Sequence, residues 1–333
     1  SFGAGVNSVA VHNGIIAVAV ESSPKQNPGR IVFFNANGTV LKDVPAGALP
    51  DMVAFTPDGR YLLAANEGEP SDDYTNDPEG SITIVNLSNG VGSATTATAT
   101  FTAFNSQATT LRAQGLRIFG PNASVAQDIE PEYIAISADS RTAYVSLQEN
   151  NALAIVNIAN ASITAIKPLG TKDHTLIYNA IDASDRDGGM NMQTWPIRGY
   201  YMPDAIASFE INGKTYIASA NEGDSRDYGG YSEETRVGDL TLDPTAFPNA
   251  ATLQNNANLG RLKTTTAQGD TDGDGDHDII YSYGGRSFSI WDDQGNLVFD
   301  SANDFERITA RQVPSLFNSQ GASDSYDSRS DDK

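Results

Sequence analysis

"LPDMVAFTPDGRYLLAANEGEP", Leu49 to Pro70, opens with Pro and an acid and continues as an alternating apolar strand. It then turns at "PDGR", runs through a second strand, and closes on an amide followed by Glu. The same frame returns as "EPEYIAISADSRTAYVSLQENN" from Glu130 and as "MPDAIASFEINGKTYIASANEGD" from Met202, with a degenerate copy, "NSVAVHNGIIAVAVES", from Asn7. The turns "PDGR", "ADSR", "NGK" and "HNG" suit hairpin connections. Third strands follow in "GRIVFFN", "GSITIVNL" and "NALAIVNI", and "DIIYSYGGRSFSIWDDQGNLVFDS" repeats the strand–turn–strand texture. Strand sets recurring with long insertions between them predict an all-β fold, a β-propeller with about five blades in these residues. A β-sandwich leaves the repeated frame unexplained.

Around this repeat the chain is acidic. Its 333 residues carry 42 Asp and Glu against 21 Lys and Arg, a formal charge of -21. A nucleic-acid partner is disfavoured, because phosphates would be repelled. The surplus fits a solvated surface in salty surroundings, cation binding, or both. With no cysteine, disulfides, thiolate metal sites and cysteine nucleophiles are excluded. The longest apolar run, "GIIAVAV" from Gly14, is too short to span a bilayer, so no transmembrane segment is expected. The chain opens at Ser1 without a signal peptide and reads as a processed or trimmed product.

Insertions over residues 89–128, 168–200 and 223–277 separate the repeats, the first with a short helix expected around "SQATTLRAQG". The propeller is assigned to residues 1–320 and a polar, flexible tail to residues 321–333.

Three acidic constellations stand out. In "GDTDGDGDHD", Asp270, Asp272, Asp274, Asp276 and Asp278 alternate with other residues. The pattern D-x-D-x-D-G-x-x-D turns carboxylates toward one hard cation, with Gly275 allowing the bend and the Asp276 carbonyl placed as a ligand. The twelfth position is Tyr281 rather than Glu, and a strand follows, so this is not an EF-hand. A strand–loop–strand calcium site is expected, and an unoccupied acidic turn is the alternative. The second constellation comes from the repeat. Asp51, Glu132 and Asp204 begin the first strands, and Glu67, Glu149 and Glu222 follow the second strands. Antiparallel strand pairs put both sets on one face near the axis, as a possible axial calcium site or as acids bonding nearby backbone N–H groups. The third, "DASDRDGG", holds Asp182, Asp185 and Asp187, a weaker metal candidate that also reads as a turn with Arg186 paired to a neighbour.

Catalytic motifs are missing from the sequence. The three histidines show no ligand spacing. Of these His174, beside Lys172 and Asp173, is the best reactive candidate but reads as part of a surface loop. Four N-x-S/T sequons, at Asn37, Asn86, Asn122 and Asn160, carry little weight by themselves.

The strings "NEGEPSDDY", "AQDIEPEYIA", "QENNALAIV", "PDAIAS", "NEGDSRDY", "DGDGDHD", "RSFSIWD" and "DSRSDDK" occur in the order seen in a known family. The chain resembles the choice-of-anchor I domain family, secreted bacterial propellers similar to a mesenchyme-specific cell-surface glycoprotein of echinoderm skeleton-forming cells. The resemblance implies a seven-bladed full-length propeller whose C-terminal segment is missing here. It also implies a secreted, extracellular or cell-surface location, or a periplasmic one. The expected role is a calcium-binding propeller for adhesion, matrix or mineral contact, with a surface polymer, a mineral or that missing segment as partner. A calcium-dependent hydrolase, phosphomonoesterase or lactonase-like with an axial metal, is the alternative.

Overall fold

The computed structural model describes residues 2–317. The tail assigned to residues 321–333 and the string "DSRSDDK" lie outside the described residues. Blade 1 comprises β1 (Val6–His12), β2 (Ile15–Val20), β3 (Pro28–Asn35) and β4 (Val40–Ala48). Blade 2 comprises β5 (Pro50–Phe55), β6 (Tyr61–Asn66), β7 (Ser81–Asn86) and β8 (Thr95–Thr100). Blade 3 follows with β9 (Ile134–Ile136), β10 (Thr142–Leu147), β11 (Ala152–Asn157) and β12 (Ser162–Pro168). Each blade is a four-stranded antiparallel sheet in sequence order. The repeat frame is therefore the inner strand pair of a blade.

Next come β13 (Thr171–Asp173), β14 (Ile197–Tyr200), β15 (Pro203–Ile211), β16 (Lys214–Asn221), the small hairpin β17 (Asp227–Tyr228) and β18 (Tyr231–Ser232), and β19 (Glu234–Arg236). The last strands are β20 (Lys263–Thr265), β21 (Ile280–Ser282), β22 (Ser287–Asp292) and β23 (Leu297–Asp300). Blade 4 is β15-β16-β22-β23, and a mixed five-stranded sheet, β13-β14-β21-β20-β19, is built from the insertions. Five sheets of four or more strands thus stand where about five blade-like units were expected. The unit beginning at Asp278 is divided between two of them: β21 pairs parallel with β14, whereas β22 pairs with β16. The free edge of β16 is filled only after the chain returns from the insertion, which a local reading of the sequence misses. Four short helices, α1 (Ala108–Ala113), α2 (Val125–Asp128), α3 (Ala250–Leu253) and α4 (Asp304–Gln312), lie in the connections and after blade 4; α1 falls where a short helix was expected.

Successive side chains of a strand point to opposite faces, so each middle blade packs on both sides. On β6, Leu62 and Ala64 meet Ile31 and Phe33 of blade 1, while Leu63 and Ala65 join the cluster holding Val145, Ala154 and Val156 of blade 3. Blades 3 and 4 meet through Tyr144 and Leu153 against Ile206, Ile217 and Trp291. The inner strands β1, β5, β9 and β15 lie side by side in that order, whereas β15 and β1 are not laid together. The described blades therefore form an arc. Its two outer faces expose apolar side chains, Val9 and Val11 on blade 1 and Phe209, Ile211 and Phe288 on blade 4.

Trp291 is 1% exposed, and its indole N–H donates to Ser219 Oγ at 2.9 Å. Replacing it with Ala is expected to destabilise the fold by about 3–5 kcal/mol through the cavity left between blades 3 and 4. Urea denaturation measures this, and a loss below about 1 kcal/mol would contradict the packing described.

Candidate functional site

Pairing within the blades decides where the repeated acids go. Pro50 pairs with Asn66 and Pro203 with Asn221, so Asp51 and Asp204 start their strands beside the ends of β6 and β16. Because the inner strands are neighbours, positions equivalent in the repeat converge. Asp51 feels the charge of Asp204; Glu67 feels Asp51 and Glu149; Glu132 feels Glu149, Glu67 and Asp204. Five of the six repeat acids thus share one electrostatic environment at the mouth of the axis. The sixth, Glu222, is exposed and lines a cleft with Arg286, Phe305 and Glu306.

Burial dominates the ionisation of this cluster, and like charges reinforce it. The carboxyl of Glu67 is pushed up to about 9 by desolvation and then by Asp51 and Glu149. Glu149 is raised to about 7 by burial and by Asp224, against the opposing pull of Arg226. Burial and the charge of Glu149 also raise Glu130 and Glu132.

Loops from three blades roof the cluster with two fully buried arginines. Arg226 donates to the Asp128 carbonyl at 2.5 Å, and its guanidinium lies 3.6 Å from the Asp128 carboxylate and 3.7 Å from Glu130. Arg117 donates to the Glu149 carbonyl at 2.7 Å and pairs with buried Glu233, its guanidinium lying 4.7 Å above the Tyr200 ring. The β17–β18 hairpin closes on the loop after β6: the N–H groups of Gly229 and Gly230 donate to Asp72, at 2.9 and 2.6 Å, and Tyr74 meets Tyr228 and Tyr231 edge-on. Glu130, Arg226, Arg117 and Glu233 were not anticipated from the sequence. One signal for Glu130 was available, since it stands where the other repeats have Leu49 and Met202.

The loop at residues 270–278 is exposed and lies just before β21. Asp270, Asp272 and Asp278 bring one oxygen each within 4.8 Å of one another. Calcium–oxygen bonds of about 2.3–2.6 Å separate opposing ligands by up to about 5 Å, so this spacing fits calcium. Asp270 accepts from the N–H groups of Gly273 and Gly275 at 2.6 and 3.0 Å, and both glycines adopt positive φ (84° and 99°) to permit the turn. Crowding shows in Asp272, raised chiefly by Asp274, while hydrogen bonds from Thr271 lower Asp278. Asp274 lies outside the converging trio and accepts from the Asp276 N–H at 3.2 Å. Asp276 forms a second group with Asp278 and Asp243, and its buried Oδ1 has no hydrogen-bond partner. Asp243 arrives through the parallel bridge between Leu242 and His277, which sequence spacing does not reveal.

The remaining candidates serve the framework. Asp185 receives two hydrogen bonds from Arg261, at 2.6 and 3.0 Å, and lies 3.5 Å from Arg186. Asp182 accepts from the Asn191 N–H at 3.1 Å and Asp187 from the Gly189 N–H at 3.3 Å, and the three do not converge as a metal-sized group. His174, expected on a surface loop, is instead buried at 1% exposure. Its Nδ1 lies 2.7 Å from the Asn179 carbonyl, and burial lowers its pKa to about 4. Its backbone extends the β13–β14 ladder, the His174 N–H donating to the Ile197 carbonyl at 3.2 Å and the His174 carbonyl accepting from the Trp195 N–H at 2.9 Å.

The choice-of-anchor I domain model matches residues 1–333. Gigasin-3a of Magallana gigas is 44% identical over 87 residues, which are 24% of this chain and 30% of that protein. The matched part is thus less than a third of that relative. Among solved structures, Kuenenia stuttgartiensis hydrazine synthase is similar over 64% of this chain and 54% of its own, with 10% identity and a TM-score of 0.37. The Cps50 (Swd1) β-propeller domain of Myceliophteria thermophila is similar over 65% of this chain and 50% of its own, with 10% identity and a TM-score of 0.38.

The raised pKa values of Glu67 and Glu149 make the folded state bind more protons than the unfolded state above about pH 4.5. Their stabilising contribution is complete below that pH and is lost as pH rises through about 7 and then about 9. In chelator, the melting temperature is expected to fall between pH 5 and 9, and Glu67→Gln should flatten the upper part of that decline. Scanning fluorimetry across this range provides the check; a flat or rising profile would contradict the cluster's electrostatics.

Proposed function

This chain belongs to the choice-of-anchor I domain family, a membership that implies a secreted or cell-surface protein, and on that premise we propose a calcium-binding propeller used for adhesion, matrix or mineral contact. No helix of the described residues is long and apolar enough to cross a membrane. The observation that carries the calcium reading is the convergence of Asp270, Asp272 and Asp278 on a glycine-permitted turn. All donors there are oxygens, and the loop is exposed and adaptable, which favours calcium over magnesium with its demand for a tight octahedron. Bound calcium would neutralise the crowded carboxylates and tie the end of the long insertion to β21. The surplus of acids, 42 against 21 bases, supports contact with cation-bearing surfaces such as mineral or cation-bridged acidic polymer.

Calcium binding to the native state stabilises it by about 2.7 kcal/mol at a hundredfold excess over Kd. Addition of calcium after chelation is therefore expected to raise the melting temperature, and Asp270→Asn with Asp272→Asn should remove most of the loop's share. A melting temperature indifferent to both calcium and chelator would sink the reading.

A further inference from the structure

We propose that the mouth of the propeller axis is a second divalent-cation seat, held by Glu67, Glu132 and Glu149, with calcium as its occupant. It is separate from the loop at residues 270–278 and shares only the choice of ion with the reading above.

Three observations carry the assignment. The first is register. Glu67 and Glu149 each follow the second strand of a blade and Glu132 precedes the first strand of blade 3, so the adjacency of β5 and β9 gathers them at one end of the axis. With its amide oriented to donate, Gln148 lies 3.1 Å from both Glu132 oxygens and fixes that carboxylate from one side.

The second is an unsatisfied atom. Glu149 is only 7% exposed, yet its Oε2 has no hydrogen-bond partner. A carboxylate oxygen accepts and does not donate, and its acidic surroundings include Glu67, Glu130 and Glu132, each of which senses its charge. These carboxylates cannot satisfy one another while ionised. A buried acceptor left unpaired costs about 1–3 kcal/mol, more for a charged group, and a cation removes the deficit.

The third is the deployment of neighbouring cations. Arg226 pairs with Asp128 and Glu130, Arg117 with Glu233, and Lys25 with Glu69. Among the described residues, no Lys, Arg or His nitrogen lies within 4.0 Å of the carboxylates of Glu67, Glu132 or Glu149. Three oxygen-only donors with a net negative charge suit a hard divalent ion. Without the ion, their ligand atoms do not gather within 4.8 Å as those of the loop do. With Glu132 held by Gln148, Glu67, only partly buried, would swing toward Glu149 to close the shell.

The test is a CaCl2 titration, followed by calorimetry and equilibrium dialysis, of protein carrying Asp270→Asn and Asp272→Asn. This variant is expected to retain one calcium per chain, and adding Glu149→Gln should weaken that binding at least tenfold. If Glu149→Gln fails to fold, Glu132→Gln at a partly exposed position replaces it, with circular dichroism verifying the fold. The proposal is overturned if the loop variant binds no calcium, or if its calcium binding is unchanged by both glutamine substitutions. Failure of the loop reading gives a different result: native protein and the loop variant would bind the same number of ions.

Discussion

A propeller brings equivalent positions of successive blades to the same end of one axis, and this constraint governs the site. An acid before or after a strand is harmless in one hairpin. Repeated in Asp51, Glu67, Glu132, Glu149 and Asp204, it becomes a crowd of like charges in a partly desolvated mouth. Burial and repulsion both favour the neutral acid, so the fold must supply counter-charge or hold protons there.

Part of the counter-charge comes from the insertions. Arg226 and Arg117 arrive on long loops rather than on blade strands, and both are fully buried. Burying an ion costs several kcal/mol unless its partners and hydrogen bonds are nearly complete. The partners offset part of that cost: the Asp128 carbonyl, Asp128 and Glu130 for one, Glu233 and the Glu149 carbonyl for the other, with Tyr200 stacked beneath, while Arg117 Nε and Arg226 Nη1 stay buried without a hydrogen-bond partner. The same contacts fasten the insertions to blade 3, so the roof and the acidic cluster stabilise each other.

The two acidic regions differ in how they manage repulsion. At residues 270–278 Asp270, Asp272 and Asp274 are exposed, water screens them, and backbone N–H groups from within the loop hold Asp270. At the axis, screening is weak, and the consequences appear as raised pKa values and an unpaired Glu149 oxygen. An ion bound at the exposed loop would therefore act locally, whereas one bound at the axis would act on the joint between blades.

The strand pairs were legible in the sequence by themselves, because alternation of period two and turn chemistry are local properties. So was the acidic turn, whose Asp-and-Gly spacing sets its own geometry through Gly273 and Gly275. The convergence of Asp51, Glu67, Glu132, Glu149 and Asp204 could be foreseen once the repeat was recognised, since register follows from it. Tertiary structure alone decided which acids received partners. Arg226 meets Asp128 across 98 residues and Arg117 meets Glu233 across 116. It alone divided the last strand unit between two sheets, gave β16 its partner β22, buried His174, and carried Asp243 to Asp276. Such contacts depend on how long insertions fold back over the blades, and the physics of a short segment contains no term for that return.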